Sequence, residues 1–303
     1  MTASSSPAAG PDPRTARAVL ALLGRPRYEV LALPGTADEV VAHVPREVTV
    51  TVTVGARRGL DATVALSEEL AREGYVAVPH LAARLVRDRH HLADLRARLA
   101  EAGIDEVFVV GGDADPLGEF TEAAQLLRAE RGWGRVGVAA YPEGHPKIDD
   151  HELDRALLDK RPMCDYAVTQ MCFDAAAVRR WQRHAQGLGF GHPVHAGIPG
   201  PVDTMRLAKV ATKIGVGPSL RYALRQRGTA RLLRPGGYRP DDLLAALAGF
   251  ETVAETLVEE VAQRPSRNQV PQPPVAGVHV YTLGDVAGTE AWRQRIREQL
   301  ADA

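Results

Sequence analysis

Three side chains that can exchange protons or form hydrogen bonds lie close together near the middle of the chain: Tyr141, Glu143 and His145. They belong to the stretch Ala-Ala-Tyr-Pro-Glu-Gly-His-Pro, which spans residues 139–146. Because proline fixes φ, the prolines make this stretch stiffer than its length suggests. Tyr141 and His145 could act as an acid/base pair, or the stretch could be a surface turn with incidental polar residues.

A second set of polar residues lies on, or directly after, short apolar runs. Its members are Glu29, Thr53, His80, Asp113, Gln170, Tyr281 and Thr282. An acid inside an apolar run, as at Glu29, is costly to bury, so it lies either on a wet edge or in a site. Two carboxylates at one site can take different roles, since burial can raise the pKa of one while the other stays ionised.

Strand and helix patterns alternate along the chain and must position these residues. From Val48 to Val54 valine and threonine alternate, which puts the valines on one face of a strand and the threonines on the other. Eight predicted strands, nearly all alternating with helices, run from Tyr28 to Leu283. Alternation predicts a parallel sheet, and eight units favour a closed (β/α)8 TIM barrel whose strand ends converge on one mouth.

We therefore expect a single α/β barrel domain over residues 15–303, after a disordered tail over residues 1–14 that is rich in alanine, serine and proline. Helices are predicted over residues 202–214 and 218–261. A Pro/Gln/Asn-rich loop over residues 264–274 is long enough to be an insertion or a lid. No Gly-x-Gly-x-x-Gly motif follows a strand, so the Rossmann dinucleotide fingerprint is absent.

Composition narrows the functional class. The 303 residues carry a net charge of -1, which favours neither nucleic acid nor an anionic membrane over a small molecule. No apolar run approaches the roughly 18–20 residues of a membrane span. Cys164 and Cys172 form no metal-binding motif and are expected to be buried thiols in a reducing compartment. The expectation is a cytoplasmic protein without a metal.

The order and sequence of the strand ends resemble those of the methylenetetrahydrofolate reductases, the flavin-dependent barrel enzymes of one-carbon metabolism. Two pieces are specific: Tyr-Pro-Glu-x-His-Pro from Tyr141 and Thr-Gln-x-x-Phe-Asp from Thr169. The weaker pieces occur in the right order and are Thr53-Val54-Gly55-Ala56, Pro79-His80-Leu81, Gly112-Asp113, Gly197-Ile198 and Tyr281-Thr282-Leu283. The resemblance covers almost the whole chain, from Tyr28 to Leu283.

The resemblance implies that NADH or NADPH reduces a bound FAD, which then reduces 5,10-methylenetetrahydrofolate to 5-methyltetrahydrofolate for methionine biosynthesis. Glu29 would protonate folate N10 as the methylene bridge opens. Asp113 would hydrogen-bond the pterin and tune the flavin, Gln170 would contact folate and nicotinamide, and Tyr281 would contact the folate. The FAD-binding positions would be Thr53, His80, Gly112, Asp113, Tyr141, His145 and Lys160. The resemblance also allows a homo-oligomer.

The chain departs from the family pattern near the expected cofactor and folate. Gly111 stands where the family commonly has arginine, and Glu122 where it commonly has tyrosine. Gly284-Asp285 stands where it commonly has Asn-Arg. The stretch between Lys160 and Gln170 is also about one residue short. These changes remove two flavin contacts and place an acid in the folate-side region.

Three other functions stay open on the sequence alone. The same site could run in reverse and oxidise methyltetrahydrofolate in one-carbon catabolism. The lost contacts suggest a folate- or flavin-binding accessory subunit without turnover, although the retention of Glu29, Asp113 and Gln170 together argues against it. An unrelated barrel enzyme could use Tyr141 and His145 as an acid/base pair.

Overall fold

Eight parallel strands close into a barrel in which neighbours follow chain order and the last strand pairs with the first. This computed structural model describes residues 13–55, 58–202, 239–249 and 275–301. The strands are β1 (Arg27–Leu31), β2 (Thr49–Thr53), β3 (Ala77–Ala82), β4 (Glu106–Val110), β5 (Arg135–Ala140), β6 (Tyr166–Thr169), β7 (Val194–Pro199) and β8 (Gly277–Tyr281). The predicted (β/α)8 barrel is confirmed.

Helices cover the outside of the barrel. Those described are α1 (Pro13–Gly24), α2 (Thr36–His43), α3 (Gly59–Arg72), α4 (Arg89–Glu101), α5 (Ala123–Ala129), α6 (Asp150–Lys160), α7 (Ala175–Gly187), α8 (Asp241–Ala248) and α9 (Val286–Ala301). No helix in the described ranges is both long and apolar enough to cross a membrane.

Several predicted segments fall largely or wholly outside the described residues. They are the tail over residues 1–14 up to residue 12, the helix over residues 202–214 after residue 202, most of the helical region over 218–261 and the loop over 264–274. Within that helical region α8 is described. The division into a tail and a barrel at residue 14 stays a prediction.

The alternation in β2 has the predicted consequence. Val50 and Val52 are fully buried in the core between the barrel and its helices. Thr51 and Thr53 face inward: the Thr51 hydroxyl donates to Tyr28 O at 3.3 Å, and Thr53 lines a cavity at the barrel mouth. The same two-residue period turns Tyr28 outward.

The sequence pattern predicts a third strand over residues 75–80 and a helix over residues 119–131, and the structure differs at both. The third strand begins at Ala77 rather than Tyr75, because the Tyr75 side chain packs outward with its hydroxyl 2.7 Å from Val44 O. Because the strand continues to Ala82, His80 lies within it rather than at its end. Helix α5 begins at Ala123 rather than Glu119, because the side-chain oxygen of Gln125 accepts the backbone N–H of Glu122 at 3.2 Å and starts the helix there.

The seam between the first and last strands is closed by buried polar contacts with α9. The Tyr28 hydroxyl donates to Glu290 Oε2 at 2.7 Å. Arg293, which is fully buried, donates to Glu290 Oε1 and to Leu23 O, both at 2.9 Å. The two ends of the described chain are thus fastened to each other around β1.

The inside of the barrel is polar at its N-terminal end. Arg27 Nη2 lies 2.6 Å from Glu106 Oε1, and the Tyr166 hydroxyl donates to the same oxygen at 2.7 Å. Burial would raise the pKa of Glu106, but Arg27, Tyr166 and Arg135 hold it below its usual value. A glycine makes room for the tyrosine ring, since a Cβ on Gly137 would lie 2.4 Å from Tyr166 Cζ.

Candidate active site

A cavity of about 390 Å³ lies at the carboxyl ends of the strands, where barrel enzymes place their active sites. Its size is within the roughly 300–1,000 Å³ of small-molecule sites. The sequence-predicted residues that line it are Glu29, Thr53, His80, Gly112, Asp113, Tyr141, His145, Gln170, Tyr281 and Thr282. The fold therefore brings together side chains from seven of the eight strands or the loops that follow them. The chemical role of each remains a prediction.

Glu29 points into the barrel from the middle of β1, and its side chain is only 15% exposed. Burial raises the pKa of this carboxyl group to about 6, although the nearby His80 opposes the shift. The acid in the apolar run therefore lines the cavity and is not on a wet edge. A carboxyl group with this pKa can both donate and accept a proton near neutral pH.

His279 is a neighbour of Glu29 that the sequence analysis did not single out. Its Nε2 lies 3.2 Å from Glu29 Oε2, across the seam between β8 and β1. Burial and the charge of Arg27 lower the pKa of His279 to about 3, so the ring is neutral at physiological pH. The available signal was the two-residue spacing to Tyr281, which puts both side chains on the inner face.

His80 approaches Glu29 from the other side. Its Nε2 lies 3.9 Å from Glu29 Oε2, and its ring packs on Phe108 with centroids 4.6 Å apart. Burial lowers the pKa of His80 to about 4, although Glu29 raises it in part. Predicted as a flavin contact, His80 lines the cavity and also flanks the buried acid.

Asp113, Tyr141 and His145 form one wall of the cavity on the loops after β4 and β5. The rings of Tyr141 and His145 meet edge-on with centroids 5.2 Å apart. Burial and the charge of Asp113 raise the pKa of Tyr141 to about 12. Burial lowers the pKa of His145, although Asp113 opposes the shift. These groups can orient a polar ligand, and the tyrosine keeps its proton at neutral pH.

Glu143 joins the two specific sequence motifs to each other. Its Oε1 accepts the backbone N–H groups of Phe173 and Asp174, each at 3.1 Å. The loop after β5 is thereby tied to the loop after β6. The carboxylate fixes loop geometry, while Tyr141 and His145 of the same motif face the cavity.

Gln170 and Tyr281 form the opposite wall. The Tyr281 hydroxyl donates to Thr169 O at 3.1 Å, and the Thr169 hydroxyl accepts the backbone N–H of Gly197 at 2.8 Å. Glycine is needed at 197 because a Cβ there would lie 2.3 Å from Thr169 O. The side-chain oxygen of Gln170 is buried and has no hydrogen-bond partner among the described residues. It can accept a hydrogen bond from a ligand.

Lys160 does not line the cavity. It is 8% exposed at the end of α6, and its Nζ lies 3.4 Å from Ala139 O behind β5. Burial lowers the pKa of Lys160 to about 8. Among the described residues that line the cavity, Glu29 and Asp113 are acidic and none is lysine or arginine.

The departures from the family pattern have structural roles of their own. The Asp285 carboxylate accepts the backbone N–H of Gly288 at 3.0 Å, which caps the start of α9. Glu122 is exposed and precedes α5, away from the cavity lining. Leu283, which lines the cavity, has a φ of 52°, a strained value for a residue other than glycine.

A profile of the family described as methylenetetrahydrofolate reductase matches residues 29–225. The chain is 30% identical over 175 residues to a 5,10-methylenetetrahydrofolate reductase of Pectobacterium carotovorum subsp. carotovorum, covering 55% of this chain and 58% of that protein. It is 26% identical over 142 residues to a probable methylenetetrahydrofolate reductase (NADPH) of Caenorhabditis elegans, covering 41% of this chain and 21% of that protein. The matched parts are thus less than two thirds of either relative.

Solved barrel structures are more distant. A tryptophan synthase complex of Pyrococcus furiosus superposes with a TM-score of 0.47 at 12% identity, covering 92% of this chain and 98% of that chain. A 7,8-dihydropteroate synthase of Vibrio fischeri ES114 superposes with a TM-score of 0.43 at 13% identity, covering 93% of this chain and 96% of that chain. Likenesses at this level say nothing about activity.

Proposed function

Because the chain belongs to the methylenetetrahydrofolate reductase family, we propose that it reduces 5,10-methylenetetrahydrofolate to 5-methyltetrahydrofolate with a hydride that originates from NADH or NADPH. The observation that carries the proposal is the carboxyl group of Glu29, buried in the cavity wall between two imidazoles. A carboxyl group with a pKa of about 6 is suited to general acid catalysis near neutral pH.

Glu29 supplies the proton that this reduction needs. The hydride adds to the methylene carbon, and the bond from that carbon to N10 breaks. N10 keeps the electron pair of the broken bond and takes a proton from Glu29, which becomes a carboxylate. The developing negative charge on Glu29 is met by His279 Nε2, 3.2 Å away, when that nitrogen carries the ring proton.

Asp113 and Gln170 give the cavity its preference for a heterocycle with N–H groups. A pterin ring presents N–H donors along one edge. The carboxylate of Asp113 and the buried side-chain oxygen of Gln170 are acceptors in the same cavity. Apolar side chains such as Val110 and Val168 provide flat walls for the ring.

FAD is the cofactor that the family resemblance predicts, and the described residues fit only part of it. Thr53, Tyr141 and the apolar walls suit a planar ring. The diphosphate carries negative charge, yet the charged residues among the described lining are both acids, and the amine of Lys160 lies against Ala139 O. The described residues therefore do not fit the diphosphate, and the proton chemistry of Glu29 holds whichever group delivers the hydride.

Turnover by the purified full-length chain tests the proposal. Formation of 5-methyltetrahydrofolate is measured with NADH and with NADPH, with and without added FAD, and the absorption spectrum of the protein is recorded. Glu29→Gln removes the acid but keeps the side-chain shape, so it should lower the rate by about 100-fold or more. Folate reduction by this variant at the wild-type rate would overturn the assignment.

A surface carboxylate provides the matched control. Glu39 lies on α2 with a side chain that is 64% exposed, far from the cavity lining. Glu39→Gln should reduce folate at the wild-type rate. If the wild-type chain binds folate without converting it, the reductase proposal fails.

A further inference from the structure

A column of histidines continues from Glu29 toward the N-terminal end of the barrel. His279 lies on the inner face of β8, and His195 lies on the neighbouring strand β7. In the strand register His195 is level with Gly277 and His279 is level with Gly197. The two histidines are therefore diagonal neighbours, with Cα atoms roughly 8 Å apart for strands about 4.8 Å apart that rise about 3.3 Å per residue.

Glycine at position 277 lets His195 reach toward the middle of the barrel. A Cβ on Gly277 would lie 2.9 Å from His195 Nδ1, so this nitrogen points at β8 directly below His279. The other side of the His195 ring meets the Tyr166 ring edge-on, with centroids 5.5 Å apart. His195 is not fully buried, and its position near the start of β7 puts it at the N-terminal opening of the barrel.

One ring nitrogen of each histidine has nothing to bond to in the described part of the chain. His279 Nδ1 and His195 Nδ1 are both buried there without a hydrogen-bond partner. Leaving a buried polar atom in that state is unfavourable, so such atoms are normally satisfied by internal water. One water between the two Nδ1 atoms would satisfy both, and it would connect the rings.

We propose that Glu29 is reprotonated from the N-terminal end of the barrel, through His195 and His279, and not from the mouth where the substrate binds. This inference rests on the proposed function of Glu29 as the acid. A proton enters at His195, crosses the bridging water to His279, and leaves from His279 Nε2 to Glu29 Oε2. Each ring gains one proton and gives up one, so it changes tautomer but not charge.

Neutral imidazoles are suited to this role because each has one N–H donor and one acceptor nitrogen. The pKa of His195 is lowered to about 3 by burial and by the nearby Arg27, His279 and Arg135. Glu106 opposes this shift with a smaller effect. Both rings of the column thus stay uncharged at physiological pH. A charged ring would only donate and would block the transfer.

The other polar groups near Glu29 do not return the proton to it. Burial raises the pKa of Tyr281 well above 10, so its hydroxyl does not release a proton near neutral pH. His80 is close to Glu29, but its Nε2 lies 3.9 Å from Glu29 Oε2, beyond hydrogen-bond distance, and its ring packs on Phe108. The Arg27 guanidinium points away from Glu29 to Glu106, with Nη2 2.6 Å from Glu106 Oε1.

Two substitutions at His195 separate proton supply from packing. His195→Phe keeps a ring against Tyr166 but cannot pass a proton, and kcat for folate reduction should fall roughly 10–100-fold with KM unchanged. The kcat of His195→Ala should fall by a similar factor, and this substitution also leaves a space at the end of the barrel. Added imidazole should restore the rate of the alanine variant with increasing concentration, and it should not restore that of the phenylalanine variant. His192→Ala, a partly exposed histidine before β7, is the matched control and should keep the wild-type rate.

The outcomes distinguish this proposal from the proposed function. In one outcome the wild type reduces folate, Glu29→Gln does not, and both His195 variants keep the wild-type kcat. The proposed proton route through His195 is then wrong, and the acid role of Glu29 stands. A lower rate with no response to imidazole in the alanine variant means that His195 only packs. If the wild type does not reduce folate, the proposed function fails first. Thermal unfolding of each variant checks that it is folded, and His195→Gln replaces any variant that is not.

Discussion

Glu29 Oε2 and His279 Nε2 lie 3.2 Å apart although 250 positions separate the two residues in the chain. The contact crosses the seam where the barrel closes, between the first strand and the last. It pairs a carboxyl group whose pKa is raised to about 6 with an imidazole whose pKa is lowered to about 3. The proton of this pair therefore resides on Glu29 below about pH 6, and near neutral pH the imidazole is the uncharged partner.

The pH profile of folate reduction follows from the pKa of Glu29. The proposed reaction requires Glu29 in its protonated form, which prevails below about pH 6. The kcat/KM of the wild type should therefore fall about tenfold for each pH unit above that value. The residual rate of Glu29→Gln should lack this break. A wild-type profile that is flat between pH 5 and 8 would contradict the role of Glu29 as acid.

The same pKa shift predicts how stability depends on pH. Below pH 4.5 the carboxyl group is protonated in both the folded and unfolded states, and above about pH 6 the folded state holds a buried charge. The rise of this pKa from 4.5 to about 6 corresponds to about 2 kcal/mol of destabilisation at high pH. Glu29→Gln should therefore raise the free energy of unfolding by up to that amount at pH 8 and leave it unchanged at pH 4. Urea denaturation at both pH values, with Glu39→Gln as control, measures the difference.

Breaking the buried pair at the N-terminal end of the barrel should be costly. Glu106→Gln leaves the Arg27 guanidinium buried without its carboxylate, which should lower the free energy of unfolding by about 3–5 kcal/mol. Tyr166→Phe removes two hydrogen bonds of the cluster, the one that the hydroxyl donates to Glu106 and the one that it accepts from Arg27, and should cost only about 2 kcal/mol. Because the pKa of Glu106 is held below its usual value, the stability it provides is present above that usual value, near pH 4.5, and is lost as pH falls through its folded pKa. Equal losses for the two variants would contradict this account.

Gly137→Ala tests the space made for Tyr166. The added Cβ would lie 2.4 Å from Tyr166 Cζ, so the ring must move, and overpacking of this kind costs about 1–3 kcal/mol. Gly187→Ala is the matched control, because a Cβ there meets nothing within 4 Å. Thermal unfolding of both variants should show a lower midpoint for Gly137→Ala alone.

Glu143→Ala tests the connection between the two motif loops. Losing two backbone hydrogen bonds to its carboxylate should loosen the walls that carry Tyr141 and Gln170. The expected result is a higher KM for the folate with the pH profile of the wild type retained. A shifted pH profile with an unchanged KM would instead assign Glu143 to proton transfer.

The sequence predicted the barrel because its signals are local: the two-residue alternation in β2 and the regular succession of strand and helix. It also singled out Glu29, since an acid in an apolar run is unusual, but the run alone left open whether the acid lies on a wet edge or in a cavity. His279 and His195 were missed, because their importance depends on the strand register at β7, β8 and β1, which no local pattern contains. The sequence also did not show that the Lys160 amine lies behind β5. A long side chain can end on either side of a strand, and its length does not decide between them.

The fastening of β1 to β8 and α9 also bears on the synthesis of the chain. During translation Glu29 leaves the ribosome well before the strand that carries His279 and the helix that carries Arg293. Until β8 is made, β1 and β7 each have an unpaired edge, and such edges are prone to associate with other chains. The carboxyl group proposed as the acid thus acquires its histidine neighbour only when β8 is in place, and a nascent chain that stops before β8 would hold Glu29 without His279.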